Sequence, residues 1–243
     1  MKPLRKYKTN LFPDGDQFVY RTPRLNCYFA ETFYHQFVNE TTVDQIGRTA
    51  DQWFEDGTSL KTDTKTSICI HDVGPRALVI KRYNYLGWGH SLRQTVLGTR
   101  ARRAWWNAHF LAHVNIKTPK ALACIEIKKR GLVIRSYLIT ERFDGENLYF
   151  YMVKHRPDRR SCQRILSHLR GVLDQMGKQR ITHRDLKFSN IMINENELAL
   201  IDLDGTTVHR LNMVYKLKRK KDMRDFAQRF SMEKLQALLT VKE

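Results

Sequence analysis

The chain has 243 residues, and 42% of them are hydrophobic, which is enough to form a sizeable buried core and excludes a wholly disordered basic tail. No uninterrupted apolar run approaches the about 18 residues that a membrane-spanning helix needs, and none follows the basic first residues, so we expect neither a spanning helix nor a secretory signal. With 43 Lys or Arg against 25 Asp or Glu, the formal net charge is +18, which indicates an anionic partner: nucleic acid, an acidic membrane surface or a phosphorylated substrate.

The first readable elements follow a long N-terminal stretch. Residues 1–50 contain three prolines that break any long helix, and we predict no particular element there. The run SICIH at 67–71 and the run RALVIKRY at 76–83 are typical of strands, and the residues between them are typical of a turn. We therefore predict a β-hairpin at 67–83.

A helix and a second hairpin are predicted next. Apolar residues recur at helical spacing over 99–113, so this stretch is predicted to form an amphipathic helix. The runs ALACIEI at 121–127 and LVIRSYLIT at 132–140 are predicted strands, joined by a basic turn at 128–131. The residues RFDGENL at 142–148 are predicted to form a loop or hinge.

The last part of the chain is mainly helical in pattern. An apolar stripe at helical spacing predicts a helix over 159–178, and a last amphipathic helix is predicted at 222–240. Between them lie two short apolar segments around a polar turn, NIMIN at 190–194 and LALID at 198–202. We expect these two segments to form a short hairpin.

The order of these elements predicts an α+β protein with two lobes. Strands come first and helices later, and the polar segment near 141–147 is the predicted hinge. We therefore divide the chain into 1–142, an N-terminal extension plus a β-rich N-lobe, and 143–243, a short, mainly helical C-lobe.

The cysteines give no sign of a metal site or a disulfide framework. No two of them form a C-x-x-C pair, and none has a His at zinc-finger spacing. We expect buried, reduced thiols in a cytoplasmic protein. The four residues are Cys27, Cys69, Cys124 and Cys162.

The segment at 181–205 carries the groups most useful for chemistry. Asp185 lies five residues before Asn190, and Asp202 follows the short predicted hairpin. A loop followed by a hairpin can bring an amide oxygen and two carboxylates together, and Mg²⁺ prefers hard oxygen ligands of this kind. The amide and one carboxylate can hold the cation while the other carboxylate accepts a proton from an attacking hydroxyl, and phosphoryl transfer needs both functions.

The spacing within this segment resembles the catalytic loop of protein kinases. The run H-R-D-L-K that ends at Lys187, and the Asn190 that follows it, match the kinase pattern H-R-D-L-x-x-x-N. The resemblance implies that Asp185 is the catalytic base, that Lys187 lies near the transferred phosphate and that Asn190 is a metal ligand. Asp202 begins an Asp-Leu-Asp sequence where kinases have D-F-G, so it and Asp204 are further candidate Mg²⁺ ligands.

Upstream, the predicted strand at 76–83 resembles the kinase V-A-I-K strand. Period-2 alternation places Val79 and Lys81 on one face. By the resemblance, Val79 would cover the adenine ring of ATP and Lys81 would reach the α- and β-phosphates. Glu141 and Phe143 fall where a kinase hinge offers main-chain groups to adenine, so they are candidate ATP-binding residues as well.

Two features depart from the kinase pattern. No G-x-G-x-x-G precedes the Lys81 strand, so the loop at 61–66 is expected to cover the phosphates with backbone N–H groups, hydroxyls and Lys charge. The following helix offers no Glu to pair with Lys81, because residues 73–125 contain no acid and Ala104 lies near the usual Glu position. We expect either a carboxylate from elsewhere or a different arrangement around Lys81.

Several stretches resemble the bacterial lipopolysaccharide kinase family, which includes the Kdo and heptose kinases of the lipopolysaccharide core. The resemblance implies a protein-kinase-like fold and transfer of the ATP γ-phosphate, with Mg²⁺, to a Kdo or heptose hydroxyl. It also implies an anionic glycolipid substrate and a peripheral position on the cytoplasmic face of the inner membrane. The stretches lie within 58–230 and are ALVIKRYN at 77–84, RARRAWWNAHFL and IKTPKALACIE within 100–126, THRDLKFSNIMI at 182–193 and LIDLDG at 200–205.

Length and charge agree with a glycolipid acceptor. Only 39 residues remain from Gly205 onward, which is too few for the peptide-docking region of a protein kinase, so we expect a small molecule or a glycolipid as acceptor. Basic patches at 100–103, 128–130 and 216–221 are candidate docking surfaces for such a substrate, although each is also typical of a solvated face.

Two other functions stay open. One is a kinase-like phosphotransferase whose acceptor is a soluble small molecule such as an aminoglycoside. The other is a catalytically degenerate kinase fold that serves as a basic binding module. We expect no nucleic acid partner, because no RNA-binding motif or basic–aromatic stripe is visible. Trp88 and Trp106 could anchor at a membrane interface, but we expect them in the core.

Overall fold

The chain folds into two compact units. The computed structural model describes residues 5–7, 17–38, 43–74, 76–84, 86–195 and 197–239. Within these residues, the first unit contains the chain up to His113 and again 119–142, and the second contains 114–118 and the chain from Phe143 onward. The short segment 114–118 therefore belongs with the second unit, although the predicted N-lobe included it.

The first unit is built on one antiparallel sheet. Its strands in the described part of the chain are β1 Arg5–Tyr7, β2 Gln17–Arg21, β3 Leu25–Ala30, β4 Thr58–Thr62, β5 Thr66–Val73, β6 Arg76–Tyr83, β7 Ala121–Lys129 and β8 Leu132–Glu141. They are ordered β1-β2-β3-β7-β8-β6-β5-β4 across the sheet. The two predicted hairpins are confirmed as β5 with β6 and β7 with β8.

The first unit also contains four helices in its described part, two before β4 and two between β6 and β7. In the described part of this unit they are α1 Glu31–Phe37, α2 Val43–Asp56, α3 Trp88–Leu97 and α4 Arg100–His113. The helix predicted at 99–113 is α4 and is confirmed. The early elements escaped prediction because strands such as β3 are buried at every position, and a strand buried on both faces lacks the period-2 alternation by which strands are recognised.

Alternate positions of the central strands face opposite sides of the sheet. On β6, Leu78 and Ile80 are fully buried in a core cluster that also contains residues of α1 and α2. Val79 and Lys81, at the intervening positions, are only partly buried. The prediction that Val79 and Lys81 share a face is therefore confirmed.

A buried carboxylate links α4 to the sheet. Glu126 on β7 is almost fully buried and accepts hydrogen bonds from Asn26 Nδ2 at 2.7 Å and from Thr99 Oγ1 at 2.6 Å. Thr99 also caps α4, because its Oγ1 accepts from the Arg102 N–H at 3.0 Å. Arg102 Nε lies 3.9 Å from the same Glu126 carboxylate. The start of α4 is thus fixed to the sheet by a carboxylate on a strand and a cation on the helix.

We expect Glu126→Ala to lower the free energy of unfolding by about 3 kcal/mol. The change leaves Asn26 and Thr99 without their hydrogen-bond acceptor and Arg102 without its ion-pair partner, and an unsatisfied buried polar group costs about 1–3 kcal/mol. Denaturant unfolding followed by circular dichroism measures the loss. The control is Glu55→Ala on the exposed surface of α2, for which the expected change is below about 0.5 kcal/mol. Equal effects of the two substitutions would show that Glu126 is not an anchor.

The second unit is mainly helical and has short strands. In its described part the helices are α5 Leu148–His155, α6 Arg159–Lys178 and α7 Asn212–Leu239. The strands are β9 Glu146–Asn147, β10 Ile181–Thr182, β11 Ile191–Ile193, β12 Leu198–Leu200 and β13 Thr207–Val208. Strands β9, β11 and β12 form one small sheet, and β10 pairs with β13. A strand-rich first unit and a helical second unit give the predicted α+β class.

The predictions for the second unit were right in its middle and wrong near its ends. The helix predicted at 159–178 is α6, and the predicted short hairpin is β11 with β12, so both are confirmed. The predicted loop at 142–148 is wrong at its end, because α5 begins at Leu148 and the Asn147 side chain caps it. The last helix begins at Asn212, before the predicted start, because the basic run inside α7 hides its apolar period.

Segment 114–118 is tied to the second unit by hydrogen bonds. Gln175 Nε2 of α6 donates to the Val114 carbonyl at 2.9 Å, and the Leu200 N–H donates to the Lys117 carbonyl at 2.9 Å. Lys117 Nζ also lies 2.9 Å from the Glu197 carboxylate. These contacts explain why the segment after α4 leaves the first unit.

All four cysteines are free thiols, and Cys27, Cys69 and Cys124 are buried, as expected, whereas Cys162 is partly exposed. Burial raises the pKa of Cys69 to about 11, so this group is a neutral thiol at physiological pH. Among the described helices, none combines the length and the apolar content that crossing a bilayer requires.

Candidate active site

A residue of α7 anchors the start of the loop 183–190 through hydrogen bonds to its backbone. Asp222 of α7 is buried, and its carboxylate accepts from the N–H groups of His183 at 2.9 Å and of Arg184 at 2.8 Å. Arg184 has a φ of 68°, in the left-handed region that a residue other than glycine adopts only at a cost. The two bonds to a carboxylate stabilise this conformation and so fix the chain just before Asp185.

His183 connects the same loop with the chain that precedes Asp202. Its side chain is fully buried, and Nε2 donates to the carbonyl of Ile201 at 3.0 Å. Burial lowers the pKa of His183, so the ring is neutral at physiological pH, and because its partner is a carbonyl the proton lies on Nε2. This bond sets the spacing between the loop and the Asp-Leu-Asp sequence.

Three side chains hold the carboxylate of Asp185. Its Oδ2 accepts from Lys187 Nζ at 2.9 Å and from Asn190 Nδ2 at 3.0 Å, and its Oδ1 accepts from Arg229 of α7. Burial raises the pKa of Asp185, but the hydrogen bonds from Lys187 and Arg229 outweigh it, so the pKa lies below its ordinary value. The side chain is therefore an anion at neutral pH. Because 37% of it stays exposed, it is accessible to a bound hydroxyl.

Asn190 binds Asp185 through its amide nitrogen. Nδ2 donates to the main-chain carbonyl of Asp185 at 2.8 Å as well as to its carboxylate. Because both bonds use the nitrogen, the amide oxygen stays available as a ligand for a hard cation. The turn that contains Asn190 is closed by its N–H, which donates to the Lys187 carbonyl at 3.0 Å.

Strands β11 and β12 bring Asp202 next to Asn190 along the backbone. The bond that extends their ladder runs from the Ile201 N–H to the Asn190 carbonyl at 3.0 Å. Asp202 follows directly and has a φ of 61°, a left-handed conformation that Asp tolerates better than most residues. Asp204 lies in the single 3-10 turn Leu203–Gly205 that follows. The backbone positions that carry the amide and the two carboxylates are therefore close together in space.

The candidate metal ligands of this unit are all oxygen atoms. Mg²⁺ is usually held by one or two protein oxygens, and phosphate oxygens and water complete its shell. Asn190, Asp202 and Asp204 supply a donor set of that kind. Within the described ranges, no three or more His, Cys, Asp or Glu side chains converge on one point.

The first unit carries other predicted site residues. Lys81 Nζ lies 5.3 Å from the centre of the Tyr83 ring, and the guanidinium of Arg100 on α4 lies 5.1 Å from the same centre. The Glu141 N–H already donates to the Lys120 carbonyl at 2.9 Å, so a main-chain contact of Glu141 with a ligand would use its carbonyl. The predicted site residues are divided between the units: Val79, Lys81 and Glu141 lie in the first, and Phe143, Asp185, Lys187, Asn190, Asp202 and Asp204 lie in the second.

Comparison with families of known proteins identifies the group to which the chain is related. The model of the lipopolysaccharide kinase (Kdo/WaaP) family matches residues 76–240, which is more than half of the chain. The chain belongs to the lipopolysaccharide kinase family. The resemblance noted in the sequence is therefore confirmed, and so is the expectation of a lipopolysaccharide kinase at the level of the family.

A solved structure shows a similar fold. It is WaaP in complex with acyl carrier protein, with a TM-score of 0.61. The alignment covers 87% of this chain and 86% of the WaaP chain at 17% identity. At that identity the likeness shows the fold, and it confirms the predicted kinase-like architecture.

Curated relatives include activin receptor type-1 from Gallus gallus, Mus musculus and Homo sapiens. Each is 27% identical over 136 residues. The match spans 50% of this chain and only 26% of each receptor, so the similarity is confined to one part of the receptors.

Two residues of the candidate site were not predicted from the sequence. Asp222 holds the backbone before Asp185, and Arg229 contacts the Asp185 carboxylate. Both lie on α7, far along the chain from their partners, so no local spacing relates them to the loop. The one available signal was an acid directly after the basic run KLKRKK at 216–221.

The loop predicted to cover the phosphates is closed around an acidic side chain. Asp63 Oδ1 accepts from the N–H of Thr66 at 2.7 Å and of Lys65 at 2.8 Å. These bonds, together with one from Lys61, lower the pKa of Asp63 to about 2. These two N–H groups were predicted to bind phosphate. The prediction is wrong for them, because they already donate to the carboxylate of Asp63.

Proposed function

We propose that this lipopolysaccharide kinase transfers the γ-phosphate of ATP to a hydroxyl of a Kdo or heptose sugar in the lipopolysaccharide core. The observation that carries the proposal is the Asp185 carboxylate, held as an anion by Lys187 and Arg229 and bonded to Asn190. A positioned anion accepts the proton of the acceptor hydroxyl as its oxygen attacks phosphorus. The new oxygen–phosphorus bond forms while the bond from phosphorus to the β-phosphate oxygen breaks, and ADP leaves.

In the second unit, the remaining roles follow from the charges around Asp185. Lys187 lies within hydrogen-bonding distance of the base, so its ammonium is positioned to contact the transferred phosphate as well. Asn190, Asp202 and Asp204 are the proposed ligands of Mg²⁺. When bound, this ion supplies positive charge that offsets the charge of the β- and γ-phosphates.

In the first unit, Lys81 is the proposed contact of the α- and β-phosphates, and Val79 beside it is the proposed apolar contact of adenine. Both are partly exposed on one face of β6, which leaves them accessible to a ligand. The carbonyl of Glu141 is the proposed main-chain partner of adenine in this unit. Phe143 directly follows residues 119–142 of the first unit and belongs to the second unit. Its main-chain groups are also proposed to contact adenine.

The distribution of charge supports an anionic glycolipid as acceptor. The basic run at 216–221 lies on α7, the helix that also carries Asp222 and Arg229, and all of its Lys residues are exposed. A single helix therefore joins a cationic surface to the groups that hold Asp185. We propose that this surface attracts the phosphates and carboxylates of the lipopolysaccharide core and that the protein works peripherally at the cytoplasmic face of the inner membrane.

The test compares acceptors of different classes in the presence of γ-labelled ATP and Mg²⁺. We expect label in core lipopolysaccharide and in its deacylated oligosaccharide, none in a panel of aminoglycosides, and none in any acceptor after chelation of the metal with EDTA. Fragmentation of the product by mass spectrometry then assigns the phosphate to Kdo or heptose. Label in aminoglycosides alone would contradict the proposal in favour of a soluble acceptor. No transfer, with no thermal shift on adding ATP and Mg²⁺, would favour a basic binding module.

A further inference from the structure

Helix α3 is attached to the protein by its polar face. Ser91 is only 2% exposed, and Thr95 beside it, one turn further, is also turned toward the sheet. Thr95 Oγ1 accepts from the Val133 N–H of β8 at 2.9 Å and donates to the Ser91 carbonyl at 2.8 Å. This arrangement is the reverse of an ordinary surface helix, which places its apolar side on the core and its polar side in water.

The outward side of α3 is an apolar stripe. Trp88, Leu92 and Val96 recur every four residues, so they follow one another along one side of the helix, and Leu97 lies about 100° further round from Val96, one turn beyond Arg93. Trp88 is 70% exposed and Val96 is 71% exposed, and the two leucines are exposed as well. The expected core positions are therefore wrong for Trp88, and also for Trp106, which is exposed on α4. We call Trp88, Leu92, Val96 and Leu97 the α3 stripe.

The charge around the α3 stripe is of one sign. Arg93 is exposed on α3 itself, and Arg103 is exposed on α4 directly after it. No Asp or Glu occurs anywhere in residues 73–125, so no carboxylate of this region opposes an anionic surface. The stripe therefore combines exposed hydrocarbon with cations at its edge.

We propose that the α3 stripe docks on the surface of a bilayer that contains anionic phospholipids. The inference rests on the proposed function, because the glycolipid acceptor is embedded in such a bilayer. A short helix with one apolar face, an exposed Trp and an Arg beside the face buries that face at the boundary between headgroups and acyl chains. A protein interface carries about one hydrogen bond per 100–200 Å², whereas the exposed side of α3 offers only the guanidinium of Arg93 and the indole N–H of Trp88 as polar side-chain groups.

The experiment measures partitioning of the full chain into vesicles of phosphatidylethanolamine with phosphatidylglycerol, and into vesicles of phosphatidylcholine. The double substitution Trp88→Ser with Val96→Ser is expected to lower the partition coefficient for both kinds of vesicle by at least about tenfold, because two large apolar side chains are lost from the buried face. Arg93→Glu is expected to weaken binding to the anionic vesicles only. The control is Leu60→Ser, which removes an exposed apolar side chain from β4 and should change neither.

Transfer assays separate this proposal from the proposed function. With a vesicle-embedded acceptor the double variant should lose about tenfold in rate, and with the deacylated core oligosaccharide it should match the unsubstituted protein. Unchanged partitioning of the double variant into vesicles would overturn the docking role. If the double variant instead lost binding to purified acyl carrier protein while it kept vesicle binding, the stripe would be a protein interface, and the docking role would also be overturned. If the unsubstituted protein phosphorylates neither acceptor but the variants still lose vesicle binding, the proposed function fails and the docking role stands.

Discussion

Asp185→Ala is expected to lower the rate of phosphate transfer by roughly 100- to 10,000-fold, the usual contribution of a general base. The substitution removes the carboxylate that accepts the proton of the acceptor hydroxyl, while Lys187 and Asn190 remain. The fold should survive, because the ion-pair partners Lys187 and Arg229 are partly exposed, and ion pairs of that kind contribute at most about 1 kcal/mol. Single-turnover transfer to the deacylated core oligosaccharide, with thermal unfolding in parallel, gives both quantities.

Two further variants make the Asp185 result specific. Asp185→Asn keeps the acceptor oxygen for Lys187 or Arg229 but cannot take up a proton in the same way, so it should be as inactive as the alanine variant. Asp174→Ala removes an exposed carboxylate from α6 and should leave transfer unchanged. Near-normal transfer by Asp185→Asn would mean that Asp185 only positions its neighbours, and the proposed mechanism would have to be abandoned.

Asp222→Ala is expected to destabilise the protein by about 3 kcal/mol and to abolish transfer. The buried N–H groups of His183 and Arg184 would lose a charged acceptor, and hydrogen bonds to charged groups contribute about 1.5–3 kcal/mol each. The left-handed conformation of Arg184 would lose its support, so the chain before Asp185 would no longer be held in place. Denaturant unfolding measures the stability, and amide hydrogen exchange at 183 and 184 measures the loss of the two bonds.

The substitutions Asp222→Asn and Asp225→Ala calibrate this effect. The asparagine can accept one of the two N–H groups and turns a donor toward the other, so we expect an intermediate loss of stability. Asp225 lies one turn further along α7 and is partly exposed beside Arg224, so its removal should cost less than about 1 kcal/mol. If Asp222→Ala leaves amide exchange at 183 and 184 unchanged, the anchoring role is wrong.

The strands and helices that the sequence predicted well are those with a clear period. The helix α6 has one apolar stripe, and the hairpin of β5 and β6 alternates or runs apolar between turn residues, so local side-chain pattern was enough. Strand β3 is buried on both faces and shows no alternation. The start of α7 is basic and exposed, so the apolar period that would mark a helix is weak there.

The attachment of α4 to the sheet shows where a family pattern stops being informative. The kinase pattern has a Glu on the helix that follows the Lys81 strand, and residues 73–125 contain no acid. In the structure, the carboxylate that fixes the start of α4 is Glu126 on a strand, and its cationic neighbour Arg102 is on the helix. In the kinase pattern the strand carries the cation and the helix the carboxylate, whereas here β7 carries the carboxylate and α4 the cation. The spacing of residues along one element cannot reveal this arrangement.

The sequence by itself determined the lipopolysaccharide kinase resemblance and the members of the loop 183–190, because these residues lie within a few positions of one another and their spacing is written locally. Only the tertiary structure decided that Asp222 and Arg229 support Asp185 from α7, since a contact between residues some forty positions apart leaves no periodic trace. It also decided that Trp88 faces solvent. An apolar stripe has the same spacing whether it packs on a core or points outward, and only the exposure of Trp88 and Val96, in a helix that is bonded to β8 through Thr95, distinguishes the two.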